Sequence, residues 1–167
     1  MNNHRIQNQR DSVDGANSEG AFRTVQLLRA GSLQFGIFAD EIAAIAAWRE
    51  PTPLPHAPKS VLGVASIQGR MLTVLDLAAL SGREAAPTAA AAQHLIALRG
   101  DEQLALAVDG LGETIELADG DFDTRQETGE TFVLGVLQRE GAEIYILNPK
   151  ELFPTAIQGH ERRRRRF

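Results

Sequence analysis

A chain of 167 residues, 43% hydrophobic and 23% charged, is sized for one ordinary domain or two small ones sharing a core. That balance excludes a disordered protein, and no stretch approaches the roughly 18 uninterrupted apolar residues of a membrane helix. Net charge is −5, but five arginines stand among the last six residues; without them the remainder carries −10, a poor general match for a nucleic-acid backbone.

Residues Met1 to Gly20 are polar and hold almost nothing to bury, so they read as a disordered arm. They also lack the apolar core of a secretory signal, which makes a cytoplasmic location the expectation. Phe22 to Arg29 reads as a strand, Ala30-Gly31-Ser32 as a turn, and Leu33 to Phe38 as the hairpin partner. Asp40 to Ile45 reads as a short helical turn passing into a strand that ends near Trp48. Pro51, Pro53, Pro55 and Pro58 fix φ and remove donors, so this segment is an extended connector.

Val61, Leu62 and Val64 lead into a Gln68-Gly69 turn, and Met71, Leu72, Val74 and Leu75 form the returning strand. Asp76 is placed to accept the free amides of a first turn over Leu77 to Leu80. Ser81 to Gln93 is a small-residue linker with room for a helical turn in its alanines. Strands follow at His94–Arg99, Gln103–Val108 and Glu113–Leu117, then a loop from Ala118 to Glu130. Many short strands and little helix argue for barrels or sandwiches.

The segment Val61 to Leu80 occurs twice. Moving 72 positions forward, Val61-Leu62-Gly63-Val64 falls on Val133-Leu134-Gly135-Val136, and Gly69 falls on Gly141. Val74-Leu75-Asp76 falls on Ile146-Leu147-Asn148, with Pro149 at the first helical position, where a missing N–H costs nothing. More loosely, Leu33 to Asp40 matches Leu104 to Asp109. Similarity at a fixed offset implies two copies of one small β unit.

Few residues suggest chemistry. No cysteine is present, which excludes disulfides, thiol catalysis and thiolate metal sites. Asp119, Asp121 and Asp123, with Glu130 at the twelfth place, imitate a calcium loop, but Thr124 stands where the sharp turn needs glycine; a solvated acidic loop is the reading preferred. Gly110-Leu111-Gly112 leads into a strand instead of a helix N-terminus, so it is not read as a phosphate cradle. His4, His56, His94 and His160 are scattered without ligand spacing. No catalytic set, metal site or cofactor is expected. Trp48 is either core packing or a half-exposed anchor at a binding groove. Arg162, Arg163, Arg164, Arg165 and Arg166 form a polybasic tail, read as solvated; its sharper alternative is a binding module for RNA or anionic membrane.

The succession FGIFADEIAAI, VLGVASIQGRMLTVLDLAAL, LALAVDGLGETIEL and VLGVLQREGAEIYILNPKELF resembles the CheW-like family, adaptor proteins of bacterial chemosensory arrays. The resemblance runs from about Phe22 to Phe153. It implies a mainly β fold of two tandem SH3-like five-stranded barrels with short helical turns and a hydrophobic groove between them. In that division residues 21–154 form the domain, barrel one mainly 22–80 and barrel two mainly 93–152, with 155–167 as the polybasic tail. The partners implied are the regulatory domain of a CheA-type histidine kinase and the helical tip of a methyl-accepting receptor. For the receptor groove, the matching positions are Ile42, Gly63 and Gln68, with Ala44 where typical members carry glutamate. Gln68 stands where they carry arginine. Losing both charges strands neither, so the resemblance implies a coupled change of surface that the fold tolerates.

Overall fold

The computed structural model describes residues 21–82, 91–118, 120–121 and 131–164, with backbone only for 159–164. Among the described residues the strands are β1 (Phe22–Ala30), β2 (Leu33–Phe38), β3 (Ile42–Ala47), β4 (Val61–Ile67) and β5 (Arg70–Asp76), then β6 (His94–Leu98), β7 (Leu104–Val108), β8 (Gly110–Ala118), β9 (Val133–Arg139) and β10 (Ala142–Leu147). Helix α1 (Leu77–Ser81) follows β5, and α2 (Leu152–Arg164) follows β10. The strands form two five-stranded sheets, ordered β8-β1-β2-β10-β9 and β3-β6-β7-β5-β4.

The internal repeat is visible in the backbone. Gln68-Gly69 and Glu140-Gly141 take the same pair of positive φ values, 50° and 77°, so both hairpins close with the left-handed turn that matches strand twist. Both copies also place β5 and β10 parallel to a strand of the other half: β5 beside β7, and β10 beside β2.

Sheet membership corrects the division read from the sequence. Barrel one is not mainly 22–80, nor barrel two mainly 93–152, because the two copies exchange strands. After β2, the 3-10 turn Ala39–Glu41 carries the chain across, and β3 pairs with β6 (Ile45 opposite Ile96). The equivalent strand of the second copy, β8, returns to β1 (Val25 opposite Ile115). Each sheet therefore takes the first two strands of one copy and the last three of the other.

Burial explains why this arrangement holds. Every residue of β7, Leu104 to Val108, is buried, and a strand buried on both faces needs apolar cover on both. One cover is the inside of its own sheet, an alanine-rich cluster of Ala65, Ile67, Leu72, Val74, Leu95, Ala97, Ala105 and Ala107. The other is a core shared by the two sheets, where Leu28, Phe35 and Ile37 meet Ile96, Leu98 and Leu106, capped by Leu77, Leu152 and Ala156. The first sheet has its own interior around Val25, Phe38, Leu117, Leu137, Ile144 and Ile146.

Two element ends also differ from expectation. Asp76 does cap α1, accepting the Ala79 amide at 3.2 Å, but its counterpart Asn148 makes no side-chain cap. The segment from 155 onward is not a separate tail: α2 runs to Arg164, and its Ala156 is only 2% exposed. Arg165 and Arg166 lie outside the described residues, as does most of the alanine-rich linker.

Candidate functional site

The positions singled out from the sequence gather on the second sheet. Along β3 the side chains alternate, with Ile42, Ala44 and Ala46 half-buried and Ala43, Ile45 and Ala47 exposed. Ile42 packs on the shared core, whereas Ala44 and Trp48 pack against the alanine-rich interior. Trp48 is thus partly core, held after the end of β3 by its amide, which donates to the Gln93 carbonyl at 2.9 Å. Ala44 faces Ala97 across the β3–β6 ladder, while Gln68 stands exposed at the tip of the β4–β5 turn. Ala44 thus belongs to one end of the sheet order and Gln68 to the hairpin at the other.

Gly63 lies in β4 with φ at +142°, and the resemblance gives it a role in admitting a receptor helix. The structure supplies a nearer reason for glycine. A Cβ there would collide with the Thr52 carbonyl, whose carbon would lie 2.6 Å away. Thr52 exchanges two backbone hydrogen bonds with Val64, at 2.8 and 2.9 Å, so the proline connector covers the outer edge of β4. Arg49 closes the same region by donating Nη1 to the Ser66 carbonyl at 3.3 Å.

A residue the sequence did not flag stands at the crossing between the sheets. Glu41 ends the 3-10 turn; its carbonyl accepts the Arg99 amide at 2.9 Å, and Arg99 Nε donates to the next carbonyl, Ile42, at 3.1 Å. Its carboxylate atom Oε2 is buried and accepts no hydrogen bond. Burial pushes the carboxyl above its ordinary value; Arg23 opposes that rise, Asp40 adds to it and Lys150 opposes it. Glu41 lines a cavity of about 290 Å³ with the β6–β7 turn (Arg99, Asp101, Glu102, Gln103) and Lys150. In sequence, Asp40-Glu41 reads only as acid at the start of a turn. The repeat carried no signal for it, since Asp40 matches Asp109 and Glu41 therefore falls on Gly110.

The remaining motifs take these places among the described residues. Gly110 and Gly112 lie within β8, and a Cβ on Gly112 would sit 3.0 Å from Leu27 Cβ, so that glycine serves strand packing. Asp121 accepts the Ala118 amide through Oδ2 at 2.8 Å; Asp119, Asp123, Thr124 and Glu130 lie outside the described residues. His56 occupies a connector turn with φ at 57°, and His94 opens β6. Among the described residues no group of three His, Asp or Glu is arranged to hold a metal ion, and no helix is long and apolar enough to cross a membrane.

Comparison with known proteins places this geometry. Residues 24–156 match the family model described as the CheW-like domain. The chain is 28% identical over 137 residues to the chemotaxis protein CheW of Rhizobium meliloti (strain 1021), covering 80% of this chain and 88% of that protein. It is 25% identical over 135 residues to a probable chemotaxis protein CheW of Rhizobium etli, covering 78% and 87% respectively. The crystal structure of the scaffolding protein TtCheW from Thermoanaerobacter tengcongensis superposes with a TM-score of 0.69 at 17% identity, over 78% of this chain and 92% of that one. The fold and the family match agree: this chain belongs to the CheW-like domain family.

Proposed function

We propose that the protein is a non-catalytic adaptor of bacterial chemotaxis-like signalling, acting in the cytoplasm to couple a methyl-accepting receptor tip to the regulatory domain of a CheA-type histidine kinase. The observation that carries this reading is the family match across residues 24–156, the whole two-sheet body. An adaptor of this kind makes no bonds; it holds two partners in one geometry and shifts the kinase between states it already populates. A helical receptor tip needs an apolar face to lie against. The outward side chain of Ile45 on β3, at the edge of the second sheet, is the exposed apolar residue offered there.

The replacement of a charged pair by Ala44 and Gln68 supports a receptor or kinase specificity of its own. Ala44 packs against apolar side chains, so an uncharged residue is what that interior accommodates. The decisive experiment is calorimetric titration against the regulatory domain of a CheA-type kinase from the same genome. Saturable binding near micromolar Kd, about −8 kcal/mol, is expected, and the double variant Ala44→Glu with Gln68→Arg should gain no affinity for these partners. Absence of binding to every such domain would remove the kinase half of the proposal.

A further inference from the structure

Helix α2 joins two features that the adaptor reading leaves unused. Its inward side is fixed, with Leu152 fully buried and Ala156 only 2% exposed in the core shared by the two sheets. Its outward side carries Phe153 and Ile157, which stay 36% and 41% exposed. Four residues apart, they stand one above the other on the helix. The same helix then runs into the most basic stretch of the chain. Its backbone continues to Arg164, so three of the five arginines from Arg162 to Arg166 belong to it, and Phe167 follows them in sequence. One acid, Glu161, precedes the run. From Ile157 to Arg162 the helix rises by about 7.5 Å, so the apolar pair and the start of the cationic run can meet one surface together.

Charge and shape together select the partner. The five arginines carry +5, and the rest of the chain carries −10. A long polyanion such as RNA extends past the arginines and meets that acidic remainder. A lipid bilayer is flat and touches only what projects toward it, and beyond a Debye length of about 8 Å the acidic body is screened from it. Lipid also offers an apolar layer beneath its phosphates, which a nucleic-acid backbone lacks. Ile157 has no ring to stack on a base, yet it can enter such a layer beside Phe153.

We propose that the outward face and basic end of α2 dock the protein on an anionic lipid surface, the arginines at the phosphate headgroups and Phe153 and Ile157 at the boundary of the acyl chains. Arginine suits this role because its planar fork takes a phosphate in two parallel hydrogen bonds. A short basic helix with two apolar side chains is a reversible anchor, not a permanent one. The proposal goes beyond the adaptor reading, since it gives the protein a membrane-bound pool that needs neither receptor nor kinase.

The test uses the full chain and extruded vesicles, with the bound fraction read by sedimentation. Saturable binding is expected to vesicles of two parts phosphatidylcholine to one part phosphatidylglycerol, and none to phosphatidylcholine alone. Binding should fade as salt rises from about 0.1 M to about 1 M, where the Debye length falls from about 10 Å to about 3 Å. Replacing Arg162 to Arg166 by glutamine should lower the partition about a hundredfold. The far-UV spectrum of that variant should overlay the wild type, because Leu152 and Ala156 still anchor the helix. Phe153→Ser with Ile157→Ser keeps every charge and should lower the partition about fivefold. Equal binding with and without phosphatidylglycerol, or unchanged binding in either variant, would overturn the proposal. So would an oligouridylate that clears the protein from the vesicles at equal phosphate, which would assign the arginines to nucleic acid instead.

Discussion

Gly63 is held in its conformation by a neighbouring backbone. Its φ of +142° is unfavourable for any side chain, and the Thr52 carbonyl occupies the place of a Cβ. The connector cannot retreat without breaking its two hydrogen bonds to Val64. Gly63→Ala should therefore destabilise the protein by about 2–4 kcal/mol, combining strain with a displaced edge. A urea titration checks this; a midpoint within error of the wild type would show that the connector is loosely held.

Glu41 makes the opposite kind of prediction. Burial raises its folded-state pKa above the unfolded value, so the folded protein binds that proton more tightly than the unfolded chain does. By linkage, the stability contributed by this group is greatest at low pH and falls as pH rises through the folded pKa. Glu41→Gln removes the charge, so the variant should melt higher than wild type at pH 7.5, with the gap closing toward pH 4. Differential scanning calorimetry across that window reads it directly. A constant gap at all pH values would mean that Glu41 is not responsible.

At the scale of elements, the two copies of the repeat share a hairpin but not a helix start. Asp76 is 4% exposed and its carboxylate takes the Ala79 amide, so Asp76→Ala should cost about 1–2 kcal/mol. Asn148 occupies the same place without a side-chain cap, and Pro149 already removes one amide from need. Asn148→Ala should stay within about 0.5 kcal/mol of the wild type. Parallel denaturant curves of the two variants compare them; equal losses would show that position matters and the hydrogen bond does not. Helix α2 is fixed by different means, since Leu152 and Ala156 anchor it in the shared core while Phe153 and Ile157 stay 36% and 41% exposed.

For the whole molecule, strand exchange makes cooperativity the main consequence. Each sheet is completed by strands from both halves of the chain, and the core between the sheets draws on both sheets and both helices. Neither 21–82 nor 93–164 contains a complete sheet, so each fragment made alone should lack the far-UV signature of the intact β fold. The intact chain should unfold in one calorimetric transition. Two resolved transitions, or a folded 21–82 fragment, would contradict the exchange.

Local spacing was enough to determine the elements: the β1–β2 hairpin, both Gln/Glu-Gly turns, the Asp76 cap and the order of strands are legible because each depends on residues a few positions apart. The repeat itself was legible for the same reason, as a matching of short patterns at one offset. Which strands close which sheet was not. The alternation of β3, Ile42 to Ala47, states only that one face is covered, and either β1 or β6 could cover it; the turn at Ala39–Glu41 and the buried faces of β7 decide for β6. The roles of single residues at close approach were hidden likewise. Gly63 answers to Thr52, eleven positions away across a proline connector, and the buried Glu41 Oε2 is left without a hydrogen-bond partner at a crossing that no local pattern marks. Periodicity records what a residue needs from its surroundings, and only the tertiary structure says which neighbour provides it.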